Sequence, residues 1–308
     1  MERTARLAMS VTAVLLLAAC TASPGGSPSP TGAPPTTPSP SQTTSPSASP
    51  LPSPTTTPDR TPSPIGDPKA VIVKVESTGG MMPIWETLRW YPSVALYGDG
   101  RLILQGAQIE IFPGPALPSL WVTHLSEQGI EQVLGWAADA GLQGPDRELG
   151  EQMMDAGVTV YTIARPEGTH RTIVHSNMNN DPQINALVEF QDVVMNARQW
   201  LDDGGVVGED VPYVAESMRV IAFPAQVGPD GELASTLDWP LDTPINQLGT
   251  SFGEPAEYRC AEVTGDDLAL LMPMVKESNE LTNWRSDDEL YQLYLHPLLP
   301  DEEACPGF

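Results

Sequence analysis

Apolar positions along the chain fall into short runs from about residue 70 onward, and their spacing predicts alternating strands and helices. A β-branched run over Val71 to Glu76 predicts a strand. Val94 to Tyr97 and Arg101 to Leu104 flank Gly98-Asp99-Gly100, a hairpin pattern. Gln108 to Phe112 predicts another short strand, closed by Pro113-Gly114-Pro115. Ser126 has the place of a helix N-cap, Ile130, Val133, Leu134 and Ala137 share one helical face, and Gly141 stops the helix. Val158 to Ala164 and Arg171 to His175 predict a second hairpin around Pro166-Glu167-Gly168. Ile184, Leu187, Val188, Val194 and Trp200 predict a second helix ended by Gly204-Gly205.

The last third repeats this rhythm. Strands are predicted over Met218 to Phe223, Tyr258 to Val263 and Leu290 to Leu295. Leu268, Leu271, Met272 and Val275 predict a helix opened by Asp266-Asp267, which Pro273 should kink or delay. Trp121 to Leu142 and Tyr258 to Asn283 share a strand-then-helix order, the pattern of a degenerate duplication, although few residues match. Hairpins with about three helices predict an α+β domain with a largely antiparallel sheet.

A different pattern precedes it. Arg3 and Arg6 are followed by the apolar run Leu7 to Ala19, thirteen residues long. A membrane-spanning helix needs roughly 20, so the run is expected to be a signal peptide covering 1–19. Leu17-Ala18-Ala19-Cys20 resembles a bacterial lipobox. That resemblance implies cleavage between Ala19 and Cys20, a diacylglycerol on the Cys20 thiol and further acylation (palmitate, for example) of the freed amine. Two or three acyl chains anchor stably, at roughly 0.8 kcal/mol per buried methylene.

Residues 21–68 hold 15 prolines among 48 positions, with Ser, Thr, Gly and Ala making up most of the rest. No periodic apolar face exists to offset the entropy of ordering, so 20–68 is expected to be a disordered tether behind the lipidated cysteine. Fully extended as polyproline it would reach roughly 150 Å. Ser/Thr/Pro stalks of this kind are candidates for O-glycosylation.

All seven tryptophans fall after this segment, and the globular part is expected to span 69–308, one domain or two packed subdomains with a break near 202–212. The chain carries a formal charge of −25. Arg3, Arg6 and Arg60 balance Glu2, Asp59 and Asp67, so the whole excess sits on the globular part. Such a surface disfavours nucleic acid, whose binding needs Lys and Arg at the phosphates. With Cys20 acylated, Cys260 and Cys305 remain as an even pair, and an oxidising compartment predicts a disulfide between them.

Leu96 to Arg101, Gln108-Ile109-Glu110 with Pro113 to Leu117, Cys260 to Gly265 and Pro297 to Glu302 together resemble a family of exported actinobacterial proteins of unassigned activity. The likeness implies extracytoplasmic location and a single structural unit; it implies no catalytic residues.

Catalytic motifs fail their context tests. Gly249-Thr250-Ser251-Phe252-Gly253 fits the G-x-S-x-G string, but neither Thr243 to Asn246 before it nor Glu254-Pro255 after it supplies the strand and helix of a nucleophile elbow, so a Gly-rich loop is expected. No lysine follows a serine at S-x-x-K spacing, and no phosphate-cradling glycine loop opens a helix. His170 and His175 lie five apart on one predicted strand and face opposite ways. His175, Met178, Met153 and Met154 would make a soft copper site only without support from spacing. The acidic pairs Asp202-Asp203, Glu209-Asp210, Asp266-Asp267 and the run Asp287-Asp288-Glu289 do not have calcium-loop spacing. His124 and His296 complete the histidines.

The sequence thus favours a lipid-anchored protein on the extracytoplasmic face of the cell membrane, with no cofactor or metal. It would contact the membrane through its N-terminal lipid and bind an envelope partner or ligand that the sequence does not name. The competing reading is a carboxylate-dependent hydrolase of the envelope. Converging buried polar groups in one apolar cleft would favour the hydrolase, and a flat apolar patch a protein partner.

Overall fold

A computed structural model of the chain describes residues 66–82, 87, 89–165, 168–176, 179–225, 234–252 and 258–306. Residues 1–65, which hold the expected leader, Cys20 and all but the last three positions of the Pro/Ser/Thr segment, lie outside the described residues. The first half runs β1 (Val71–Gly79), β2 (Val94–Tyr97), β3 (Arg101–Gln105), β4 (Leu120–Leu125), α1 (Glu127–Asp139), β5 (Arg147–Leu149), β6 (Gly157–Arg165), β7 (Gly168–Val174), α2 (Pro182–Met195), α3 (Ala197–Trp200) and β8 (Val206–Pro212). The second runs β9 (Ser217–Pro224), β10 (Thr236–Asp238), β11 (Thr250–Phe252), β12 (Tyr258–Thr264), α4 (Gly265–Glu277), β13 (Asn283–Ser286) and β14 (Glu289–Pro297).

These strands form two sheets, ordered β5-β7-β6-β1-β2-β3-β4-β8 and β10-β13-β14-β9-β12-β11. Among the described residues only β5 with β7 and β10 with β13 pair parallel, so the class is α+β and largely antiparallel. The two sheets share a wiring rule. The second strand after the main helix returns antiparallel beside the first strand of its sheet: β6 on β1 after α1, β14 on β9 after α4.

Helices α1 and α2 cover one face of the first sheet. Ile130 and Val133 of α1, with Ile184, Leu187 and Phe190 of α2, pack on Val73, Val75, Leu96 and Leu102. The opposite face carries Ala95, Tyr97, Ile103, Leu120 and Val122, with Leu299 against them. Every residue of β2 is therefore buried, which is why it reads as a continuous apolar run. In the second sheet Leu268, Leu271 and Val275 of α4 pack on Met218, Val220, Val263 and Leu293. The other face holds Ile221, Phe252 and Cys260 with Tyr258, Tyr294 and Cys305.

Local chemistry explains the boundaries. The Gly98-Asp99-Gly100 turn closes with a positive φ of 85° at Gly100, and the Asp99 carboxylate receives the Arg101 backbone amide and guanidinium. The Ser126 side chain caps α1 by accepting from the Gly129 amide at 3.1 Å. Gly129 faces the Gly205 carbonyl so closely that a Cβ there would stand 2.1 Å from its oxygen.

Four sequence expectations need correction. Gln108 to Phe112 is not a strand: it belongs to a loop between β3 and β4, with Ile109, Ile111 and Phe112 exposed at 68, 59 and 63%. An apolar alternation with no partner strand beside it does not pair. The helix expected from Ile184 to Trp200 breaks at Asn196, whose side-chain amide donates to the Asp192 carbonyl at 2.8 Å. Pro273 does not delay α4, which starts at Gly265 and runs through it to Glu277, with Leu271 and Val275 on either side buried. Finally, Thr250–Phe252 is an edge strand rather than a loop.

Candidate functional site

An apolar concavity lies where the two sheets meet. It encloses about 330 Å³. One wall comes from the run into β4, Leu117 to Trp121. A second comes from the end of β8 and the crossover to β9, Pro212 to Ala215. Met218 of β9, Leu268 and Met272 of α4, and Pro297 complete the lining, with Lys276 of α4 among it. Met218 is fully buried and Leu268 is 9% exposed, whereas Trp121 is 40% and Val214 83% exposed. A buried floor with accessible upper walls is the geometry of a small-molecule cleft, whose usual range starts at roughly 300 Å³.

The walls are pinned by local bonds. The Tyr213 amide donates to the Leu120 carbonyl at 2.9 Å, and its hydroxyl to the Leu298 carbonyl at 2.6 Å. The Leu298 amide donates to the Ser217 carbonyl at 3.0 Å. The crossover between sheets is therefore tied down at both ends. The Trp121 indole donates to Ser119 Oγ at 3.0 Å and lies over Gly106, where a Cβ would come within 2.5 Å of the ring. Gly106 is the residue that lets the indole lie flat on the chain.

Beside the cleft the C-terminal segment runs as a strap between the faces of the two sheets. Asp301 accepts from the Tyr97 hydroxyl at 2.6 Å and from Lys74 Nζ at 3.0 Å. Glu302 accepts from the Leu299 amide at 2.8 Å and pairs with His296 Nε2 at 2.9 Å. Arg219, 4% exposed, donates to the carbonyls of Glu303 and Ala304. The Tyr91 hydroxyl donates to the Pro297 carbonyl at 3.0 Å, and its ring stacks on His296 with centroids 4.0 Å apart. The strap is fastened by the Cys260–Cys305 disulfide, which closes a span of 45 residues.

Burial, with the Asp301 carboxylate second, pushes the Tyr97 hydroxyl far above its ordinary pKa. Burial does the same for Tyr91, with Glu302 adding to it, and lifts Tyr213 to about 12. Burial alone would lower Lys74, but Asp301 and Glu76 outweigh it and its pKa is raised. Burial lowers the pKa of Arg219, partly offset by Glu302. These groups hold the strap. Their bonds point at the chain's own carbonyls and carboxylates, and they serve as a structural seam.

The remaining residues singled out in the sequence are dispersed. His175 pairs with Glu148 at 3.0 Å and His170 with Asp146 at 3.6 Å, each with its own carboxylate at the β5–β7 edge. Met153 and Met154 are 48 and 92% exposed, and Met178 lies outside the described residues. His124 sits in β4 opposite Arg101 and Val207. Ser251 sits mid-strand in β11 opposite Arg259, while Gly253 and the two residues after it lie outside the described residues. Among the described residues no group of three or more His, Cys, Asp or Glu could hold a metal ion.

The acidic runs have local roles. Asp202 accepts from the Gln132 amide, Asp210 from Arg198 and Thr123, and Asp266 and Asp267 occupy the first turn of α4. Asp287 and Asp288 turn the β13–β14 hairpin with φ of 49° and 64°. Among the described residues no helix is long and apolar enough to cross a membrane.

The cleft was not visible in the sequence, because its lining comes from five separate segments. No protein-family model, curated protein or solved structure matches this chain.

Proposed function

We propose that this chain is a lipid-anchored, extracytoplasmic binding protein whose ligand site is the cleft between the two sheets. The anchor rests on Leu17-Ala18-Ala19-Cys20 behind a thirteen-residue apolar run, and the Cys260–Cys305 bridge fits an oxidising compartment. The single observation that carries the binding role is the cleft: about 330 Å³, apolar, buried at its floor and built from both sheets. The partly exposed carboxylates Asp301 and Glu302 are engaged by Tyr97, Lys74, His296 and the Leu299 amide. That arrangement favours binding over carboxylate-driven hydrolysis.

Ala215 lines the cleft and is only partly buried, so Ala215→Trp fills the space with little disturbance to the core. The purified mature chain should enhance the fluorescence of an anilinonaphthalene sulfonate probe in its native state, and the Trp variant should lose that enhancement while melting at an unchanged temperature. Equal probe binding by both proteins would contradict a ligand site in this cleft.

A further inference from the structure

The chemistry of the cleft limits what it can hold. Its volume, about 330 Å³, is at the small end of ligand sites, which excludes a folded partner and suits one slender apolar body. Met218, Leu268 and Met272 at the inner side offer no hydrogen-bonding group beyond a thioether. Met side chains adapt to irregular apolar shapes, so the floor is suited to a flexible chain more than to a rigid polar ring. Prolines 118, 212 and 297 stiffen the walls.

Among the described residues one charged side chain lines the cleft, and it is positive. Lys276 has no ion pair and no side-chain hydrogen bond among the described residues. Arg147, Arg171 and Arg259 likewise have no ion pair among the described residues, so what sets Lys276 apart is its place in the lining of the cleft. Lys69, Lys74, Arg101, Arg198 and Arg285 all pair with carboxylates. An ammonium left unpaired beside apolar walls is a ready counter-charge for an acidic group whose apolar part is buried below it.

We infer that the cleft takes an anionic amphiphile, a single apolar chain with its acidic head at Lys276. The inference rests on the proposed binding role of the cleft and adds the polarity of the ligand's head. Because Lys276 also sits in the last turn of α4, where a cation complements the helix end, a purely structural Lys276 would change stability alone and leave head-group preference untouched.

Decanoate, decyl phosphate, decanol and decylamine form the test series, bound to the purified mature chain, its Lys276→Gln variant and its Ala215→Trp variant. Affinity is read by calorimetry at low ionic strength. Decanoate or decyl phosphate should bind about fivefold tighter than decanol, and decylamine weakest. Lys276→Gln should erase the preference while still binding decanol, and Ala215→Trp should bind none of the four. The tighter of the two acids identifies the head as carboxylate or phosphate. If all four bind wild type alike, or if Lys276→Gln keeps the preference, the anionic head is wrong and the cleft reading survives. If none binds wild type, both readings fall together.

Discussion

Tyr97 and Asp301 are 204 residues apart in sequence, and the tyrosine hydroxyl donates to the carboxylate at 2.6 Å. Tyr97 is wholly buried in a strand at the middle of the first sheet; Asp301 belongs to the strap that follows the last strand of the second. The bond is thus one of the ties by which the end of the chain holds the two sheets together. Removing Asp301 leaves a buried hydroxyl without its acceptor and the Lys74 ammonium with Glu76 alone, which costs about 2–3 kcal/mol. Asp301→Ala should lose that much in urea unfolding. Tyr97→Phe, which keeps the ring and removes only the donor, should lose about 1 kcal/mol.

The same seam sets an alkaline limit. The folded pKa values of Tyr91, Tyr97 and Tyr213 are raised above the ordinary value of 10.0, so folding binds protons that the unfolded chain has released. Their contribution is complete below pH 10 and is lost as pH rises beyond it. Each such group adds a slope of about 1.4 kcal/mol per pH unit above 10. Stability measured from pH 9 to 11.5 should fall steeply past 10, and Tyr97→Phe should have a shallower fall. A flat profile would mean these hydroxyls ionise freely in the folded state.

The strap is also held covalently. The chain-entropy estimate for a loop of this length is about 4 kcal/mol, an upper figure for what the Cys260–Cys305 bridge contributes. Cys305→Ser should melt lower than wild type by several degrees, and reduction should bring wild type to the same point. Coincident melting of oxidised and reduced wild type would show that the strap is held by its polar bonds alone.

Gly129 gives a prediction that runs against helix propensity. Alanine is about 1 kcal/mol better than glycine inside a helix. Here the added methyl would meet the Gly205 carbonyl at 2.1 Å, and backbone cannot move aside cheaply. Gly129→Ala should therefore destabilise the protein by more than 2 kcal/mol, read from denaturant midpoints.

Much of this fold was legible in the sequence, for reasons that are local. Gly98-Asp99-Gly100 specifies a hairpin and Ser126 caps α1, each acting within a few residues. Strands β5, β8, β10, β11 and β13 escaped notice because they are short or polar. In β8, the sheet-edge strand Val206–Pro212, no residue is buried, so no alternation marks it. Gln108 to Phe112 misled in the opposite sense, showing apolar residues that the fold leaves on a loop surface. The disulfide was legible from cysteine count. The strap and the cleft were not, because Lys74, Tyr97, Arg219 and Asp301 converge only through sheet packing. The Pro-Leu-Leu-Pro-Asp-Glu stretch from Pro297 carries no periodic signal of its own.

Anchoring has its own check. Inhibiting lipoprotein signal peptidase in cells should leave a precursor heavier by the mass of the leader, and Cys20→Ser should release the protein from membranes. Unchanged mass and unchanged membrane association in both cases would remove lipidation from the account.

The most direct measurement of the binding claim is photocrosslinking from the cleft mouth in intact cells. A photoreactive residue at position 214, where Val214 is 83% exposed at the cleft, is compared with one at position 270, where Leu270 is 58% exposed on α4. Intact-mass spectrometry of protein recovered from membranes should show a discrete small-molecule adduct at 214, absent at 270 and absent when Ala215→Trp fills the cleft. The same adduct profile at both positions, or none at 214, would contradict a ligand-binding cleft.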